Sequence, residues 1–432
     1  MHESVIDARY RKLFGYQAGY LPRDRRGTDA FLADVKAKVT ERKAKKTELH
    51  SPAVRALARL LDQNRVLRAL VNDMIDEAVP KPAPPPAPET IYDIDELLHA
   101  LDHIVETAPL YNPNPAYLNN FPVSTLFTYM MMTPAGEFLF RDPIFNDAIR
   151  VILKEWCVYL DSAKSTYVLN IGEYGWLSEP AYKMNELQEF IIPDPKAPHW
   201  GWTSFNAYFH RQIKPSERPI SSPDDPKVIV SANDGTVVRI AYDVKRYDNF
   251  RIKAQNYSLV NMLNGNFVDE FIGGVVFQSF LSGADYHRWH APIAGTGKFT
   301  QLVEGLMFSD DPSAGCDTTA ATYSQVYGAN VNTRGLVFIE SDDRAIGLVC
   351  VIPIGITEIS SVTINVKPGQ KLKKGDELGY FSYGGSSMAL AFQKDVIDAF
   401  TIPSTPPIPT SPADFDNGPP ILVNAQIAKA KT

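Results

Sequence analysis

Tyr383-Gly384-Gly385-Ser386-Ser387-Met388 lies near the C-terminal end of a 432-residue chain, between two strand-like runs. Glu377-Leu378-Gly379-Tyr380-Phe381 precedes it, and Met388-Ala389-Leu390-Ala391-Phe392 follows it. By itself, Gly-Gly-Ser-Ser between two strands reads as a hairpin turn, because glycine tolerates the backbone angles of a tight reversal. The same residues permit chemistry. A glycine carbonyl is sterically open, and a neighbouring serine hydroxyl can attack its own preceding peptide bond once a base removes the proton. The stretch alone leaves both readings standing.

Two further segments supply what such a serine would need. Tyr286-His287-Arg288-Trp289-His290-Ala291-Pro292 offers a base, and Ser231-Ala232-Asn233-Asp234-Gly235-Thr236 offers a carboxylate. Asp234 alone reads as an Asp-Gly turn, and His290 alone as a core histidine. Joined to Ser386 they have the roles of nucleophile, base and orienter of the base. The order Asp, His, Ser is permitted in a serine hydrolase. The nucleophile elbow of that class, however, is Gly-x-Ser-x-Gly, and here the fifth position is Met388. His287 and His290 are three residues apart, which on a regular strand sends them to opposite faces. A bend near Arg288-Trp289 is needed for both to line one pocket, and the same geometry argues against a His-x-x-His metal site.

These segments, in this order, resemble the pyruvoyl-dependent phosphatidylserine decarboxylase family. Its signatures are an Asp-Gly turn, a Tyr-His-Arg-x-His-x-Pro segment and a Gly-Ser-Ser/Thr cleavage site. Phe205-Asn206-Ala207-Tyr208-Phe209-His210-Arg211, with Lys214-Pro215 and Arg218-Pro219-Ile220, is similar to the family's opening segment. Lys253 with Tyr257-Ser258-Leu259 is a fifth match, and the resemblance spans residues 200–400. The preceding helical region and Gly355-Ile356-Thr357-Glu358-Ile359-Ser360 resemble one branch, the fungal L-tryptophan decarboxylases. Membrane phosphatidylserine decarboxylases tend to carry Asn-Val-Gly-Ser where this chain has Glu358-Ile359-Ser360-Ser361.

The resemblance implies that Ser386 attacks the carbonyl of Gly385 to give an ester. Elimination then releases the upstream chain and leaves dehydroalanine, which hydrolyses to a pyruvoyl group at position 386. Asp234, His290 and Ser386 are the implied catalytic residues, Gly385 and Ser386 the cleavage site, and His287 a substrate-binding residue. The pyruvoyl ketone would form a Schiff base with a substrate amine and act as electron sink. No metal and no pyridoxal phosphate are expected. The expected activity is decarboxylation of an aromatic L-amino acid, L-tryptophan to tryptamine first, with phosphatidylserine to phosphatidylethanolamine as the alternative. An uncleaved scaffold is a third reading, against which the intact Asp234, His290 and Ser386 speak. Fragments 1–385 and 386–432 are expected to stay associated. Phe280, Leu281, Tyr286 and Trp289 are candidates for an indole pocket or for plain core packing.

Composition sets outer limits. With 44% hydrophobic and 22% charged residues, the chain has ample material for a globular core. A net charge of -7 argues against nucleic acid or an anionic membrane as partner, since both reward clustered positive charge, and leaves a small-molecule substrate. Cys157, Cys316 and Cys350 are too few and too scattered for a disulfide framework, and Cys316 reads as a loop thiol. The N-terminus lacks the apolar core of a signal peptide, and no run reaches the roughly 18 apolar residues of a membrane span. The expectation is a cytoplasmic protein without stable membrane insertion.

The expected fold class is α+β. A polar lead-in (1–30) precedes a helical N-terminal domain (31–195) interrupted by a Pro-rich linker (80–88). A β-rich pyruvoyl decarboxylase domain follows (200–400), with hairpins similar to the lipoyl carrier sandwich barrel, then a Pro-rich C-terminal tail (401–432). Val54, Leu57, Leu60, Leu61, Val66, Leu67, Leu70 and Met74 form one helical stripe, and Phe145, Ile149, Ile152, Leu153 and Trp156 another. His99 and His103, at i and i+4, lack a third ligand and read as packing or surface residues. Lys371, Lys373 and Lys374 read as a solvated face.

Overall fold

The computed structural model describes residues 25–78, 90–114, 117–119, 121–131, 133–249, 256–283, 285–309, 324–358, 361–383, 386–402 and 419–431. Gly384, Gly385, Lys253, Cys316, Ile359, Ser360, the linker at 80–88 and most of the lead-in lie outside the described residues. The protein is α+β, with helices in the N-terminal region and a large antiparallel sheet in the C-terminal region.

Helix α1 (Arg25–Ala44) begins inside the stretch read as a lead-in. Helices α2 (Pro52–Gln63) and α3 (Arg65–Ala78) follow, and the Ser51 hydroxyl caps α2 by accepting the Val54 N–H at 3.1 Å. The single stripe expected across α2 and α3 is broken. Leu57, Leu61, Leu67 and Met74 are buried, but Val66 is 69% exposed. The Asn64 side chain accepts the N–H groups of Val66 and Leu67, which stops one helix, starts the next and resets the helical phase. Helices α4 (Ile94–Ile104), α5 (Pro122–Phe127), α6 (Pro134–Leu139) and α7 (Pro143–Asp161) complete the layer. On α7 the expected face, Phe145 to Trp156, is buried.

Short helix α8 (Phe205–Phe209) leads into the strands. These are β1 (Val228–Val230), β2 (Gly235–Tyr242), β3 (Val275–Leu281), β4 (Arg288–His290) and β5 (Gly295–Val303). After helix α9 (Gln325–Val331) come β6 (Arg334–Ser341), β7 (Leu348–Gly355), β8 (Val362–Ile364), β9 (Lys371–Leu372) and β10 (Glu377–Phe381). The chain closes with β11 (Ser386–Phe392), β12 (Ile397–Phe400), β13 (Pro420–Ile421) and β14 (Gln426–Ala430). Eight strands pair in the order β13-β2-β3-β11-β7-β6-β5-β9, while β4-β10-β8 and β1-β14-β12 form two smaller sheets.

This topology excludes the hairpin reading of residues 383–388. Strand β10 belongs to a three-stranded sheet and β11 to the eight-stranded one, so the Gly-Gly-Ser-Ser segment carries the chain between sheets. Strand β11 sits between β3 and β7, pairing with both along its full length. Its alternate residues serve two cores, as pleating requires. Met388, Leu390 and Phe392 pack in the cluster that holds Trp289 and Phe381, whereas Ala389 and Ala391 pack in the cluster that holds Val276 and Phe338.

The helical layer grips the chain just ahead of β11. The Tyr383 N–H donates to Asn206 Oδ1 at 3.1 Å, and its ring lies 5.2 to 5.4 Å from Trp156, Phe205 and Phe209. Beyond the Pro-rich segment, β13 and β14 are built into the sheets, and Ile427 and Ala428 are fully buried. Lys374 is not a solvated residue either. It is buried, and its Nζ donates to the carbonyls of Ser222 and Asp225.

Candidate active site

Ser386 is the first residue of β11, with Leu281 opposite on one side and Gly355 on the other. Its side chain is fully buried and its Oγ has no hydrogen-bond partner. Ser387, one residue later, is fully engaged. Its Oγ accepts from Gln278 Nε2 at 2.8 Å and donates to the Ser279 carbonyl at 2.8 Å. The two adjacent serines therefore differ in what they are free to do. Only Ser386 has an uncommitted hydroxyl, and it directly follows Gly385.

His290 is held at both ring nitrogens. Nδ1 donates to the Gly375 carbonyl at 2.7 Å, which leaves Nε2 as acceptor for the Tyr286 hydroxyl at 2.9 Å. Gly375 can present that carbonyl because it takes a left-handed turn conformation, φ +83°. Burial lowers the His290 imidazole below the ordinary histidine range, so it stands neutral and able to accept a proton at neutral pH. Burial likewise raises the Tyr286 phenol well above its ordinary range.

Asp234 is placed near His290 but not bonded to it. The His290 N–H donates to the Ala232 carbonyl at 2.8 Å, and the Asp234 charge raises the basicity of the imidazole. The carboxylate oxygens are committed elsewhere. Arg218 donates from Nε at 3.0 and 3.1 Å and from Nη2 at 2.7 Å, and the Val423 N–H donates at 2.7 Å. Arg218 Nη1 also reaches Glu189 at 2.9 Å. Burial opposes the Arg218 charge, but Asp234 and Glu189 outweigh it and hold the guanidinium above its ordinary value.

His287 and His290 share no partner. The backbone carbonyl of His287 accepts from the Phe381 N–H at 2.9 Å, on the strand that runs toward the Gly-Gly segment. The His287 ring stacks on Phe209 at 3.9 Å, is fully buried, and has no hydrogen bond at either nitrogen. Burial, then the charges of Arg211 and His210, push it well below the ordinary range; backbone groups of Asp285 and Ser282 lie close, outside hydrogen-bonding geometry, and oppose this weakly. The register irregularity lies on the partner strand, between Glu377 and Gly379 opposite His290 and Trp289, rather than at Arg288-Trp289 where a bend was expected. A side chain at Gly379 would strike the Trp289 ring at 2.4 Å. Phe280, Leu281, Tyr286 and Trp289 are all buried packing residues, which leaves no open surface between them for an indole.

The sequence offered Tyr286 only as a pocket-wall or packing residue and gave Arg218 no role, although both stand inside the quoted motif segments. Glu358, where the branches diverge, is buried; its carboxyl accepts the Val123 N–H at the start of α5, and burial raises it well above the usual carboxylate range. His99 is buried on α4, with Nε2 3.8 Å from Asp95.

The family model described as phosphatidylserine decarboxylase matches residues 205–406, and a second of that description matches residues 51–185. The chain is 40% identical, over 63% of its length and 83% of the relative's, to "Decarboxylase iboD" of Amanita muscaria. The chain belongs to the phosphatidylserine decarboxylase family. It is 32% identical, over 72% of its length and 76% of the relative's, to "L-tryptophan decarboxylase" of Psilocybe cubensis. "Phosphatidylserine decarboxylase proenzyme" of Chlamydia pneumoniae is 28% identical over 59% of this chain and 84% of the relative. Members of the phosphatidylserine decarboxylase family are pyruvoyl-dependent carboxy-lyases, and this protein is a decarboxylase of that kind. Among the described residues, no helix is long and apolar enough to cross a membrane.

Proposed function

We propose that the protein decarboxylates an aromatic L-amino acid, L-tryptophan to tryptamine first, after cutting itself between Gly385 and Ser386. The observation that carries this reading is the buried, unpartnered Ser386 hydroxyl beside the committed Ser387. An orphaned polar atom in a packed sheet is costly, and a place in chemistry is a reason to keep it. Ser386 supplies the nucleophile. His290, neutral because it is buried, takes up a proton, with the Gly375 carbonyl fixing its tautomer. Asp234 supports the protonated imidazole through its charge rather than through a hydrogen bond. His287 borders the substrate.

The pyruvoyl group left at position 386 supplies the electron sink for loss of carbon dioxide. Fragments 1–385 and 386–432 remain together because β11 is hydrogen-bonded on both sides and β14 lies between β1 and β12. Likeness to the Psilocybe L-tryptophan decarboxylases supports the free amino acid. The acidic charge balance disfavours an anionic membrane surface, and the cytoplasmic location that belongs to this proposal would be contradicted by recovery of the protein in a membrane pellet.

The test is to incubate purified protein with amino acids and with phosphatidylserine vesicles, and to measure carbon dioxide. Tryptamine should form without added pyridoxal phosphate and cease when phenylhydrazine traps the ketone. Turnover of the vesicles with no tryptamine would replace this reading by the lipid one.

A further inference from the structure

The chain ahead of the Gly385–Ser386 bond is pinned residue by residue. Three successive backbone N–H groups find three separate acceptors. Phe381 donates to the His287 carbonyl at 2.9 Å, Ser382 to the Ser361 carbonyl at 3.1 Å, and Tyr383 to Asn206 Oδ1 at 3.1 Å. The first two acceptors are backbone. The third is a side chain, and it holds the residue of the three that stands nearest to the scissile bond. On the other side of that bond, Ser386 is paired with Leu281 and Gly355.

Asn206 is suited to fix one position. It is fully buried on α8, and both ends of its amide are committed. Nδ2 donates at 2.9 Å to Oδ1 of Asp161, the last residue of α7. The amide orientation follows from chemistry, since a backbone N–H can only donate and so needs the Asn206 oxygen. The Tyr383 ring is boxed by Trp156, Phe205 and Phe209, and Phe121 stacks on it at 6.5 Å. The helical layer thus holds both the backbone and the side chain of Tyr383.

Gly384 and Gly385 are the two residues between these anchors, and glycine has the most conformational freedom to lose on being ordered. An attack within the chain needs its reacting atoms about 3–3.5 Å apart, and a displacement of about 1 Å can cost on the order of 10²-fold in rate. With two glycines beside the reacting bond, that distance depends on how firmly the ends are tied.

We infer that Asn206 is a positioning residue for self-cleavage. By holding the Tyr383 N–H, it limits where the Gly385 carbonyl can lie relative to Ser386, and its work ends with the cut. The inference rests on the self-cleavage reading, and it gives the helical layer a task in maturation.

The test follows newly synthesised full-length chain by denaturing electrophoresis, then measures turnover per phenylhydrazine-titrated pyruvoyl group with whichever substrate the protein accepts. Asn206→Ala should slow cleavage about tenfold or more. Its kcat and KM per pyruvoyl group should stay within about twofold of the unaltered protein's. Asn206→Asp combined with Asp161→Asn exchanges donor and acceptor between the two side chains. It keeps an oxygen for the Tyr383 N–H, and should restore cleavage. One glycine inserted between Tyr383 and Gly384 leaves the Asn206 bonds in place and should also slow cleavage.

Normal-rate cleavage by Asn206→Ala, or by the chain with the added glycine, overturns the inference. So does a double variant as slow as Asn206→Ala, or turnover per pyruvoyl group that falls along with cleavage, since either marks a general disturbance of the fold. Should Asn206→Ala not fold, the chain with the added glycine decides alone. An unaltered chain that is never cut fails the self-cleavage reading itself, which is a separate result because no variant then has a rate to lose.

Discussion

Two buried polar clusters flank strand β3, and they are satisfied to opposite degrees. On the β2 side, Asp234 accepts from Arg218 and from the Val423 backbone, and Arg218 also pairs with Glu189. On the β11 side, the Ser386 hydroxyl has no hydrogen-bond partner, and the His287 ring, stacked on Phe209, has none either. The first arrangement is mainly architecture, although the Asp234 charge also acts on His290. It ties the segment before β2 to the chain's last strands, and its geometry leaves nothing for a reactant to take up. The second keeps polar atoms dry and unpaired at a cost of about 1–3 kcal/mol each, which packing elsewhere must offset. The paired groups hold the fold, and the unpaired Ser386 hydroxyl is the one to which the proposed chemistry is assigned.

The largest expected effect comes from the unpaired side. Ser386→Ala should abolish both self-cleavage and carbon dioxide release, read by denaturing electrophoresis and intact mass. A cleaved, active Ser386→Ala protein would break the comparison outright. His290→Ala should slow cleavage by about 10²–10⁴-fold, the usual contribution of a general base. The unaltered protein should cleave faster as pH rises through the His290 value, with a midpoint below that of an ordinary histidine, since burial lowers it. A rate still climbing above pH 7 would point to another base.

On the paired side the effects are on stability. Asp234→Asn strips the buried Arg218 of its closest counter-charge and should cost about 3–5 kcal/mol in urea unfolding. Little loss of stability with total loss of cleavage would instead make Asp234 a purely catalytic group.

Acid should weaken the buried histidines on both sides. His210 is lowered by burial and by Arg288 to about 4, so the unfolded chain takes up a proton before the folded one does. Its contribution is complete above about pH 6.5 and is lost as pH falls toward 4, amounting to as much as about 3 kcal/mol. Urea midpoints at pH 7 and pH 5 read this directly, and His210→Gln should flatten the difference. The smallest effect belongs to Ser387→Ala, which leaves Gln278 one partner short. It should cost about 1–3 kcal/mol and leave cleavage intact. Loss of cleavage here would erase the distinction between the two serines.

Much of the fold could be read locally, because helix and strand periodicities are properties of neighbouring residues. The α7 face from Phe145 to Trp156 and the runs that became β10 and β11 were visible in this way. Val66 was not, since a single side chain, Asn64, stops one helix and restarts another out of phase. The roles of Ser386, His290 and Asp234 could be named from the order and wording of three short motifs. Their actual partners could not.

By itself the sequence determined the α+β class and the family, because these rest on residue order and on local pattern. Tertiary structure alone decided that residues 383–388 cross between two sheets, and that Gly375 rather than Asp234 binds the His290 Nδ1. It also decided that Asp234 answers to Val423, 189 residues away, and that Ser387 is bound while Ser386 is not. The physical reason is the short reach of a hydrogen bond. About 3 Å and a narrow range of angles separate a bond from none, and only the packed chain brings distant residues inside that range.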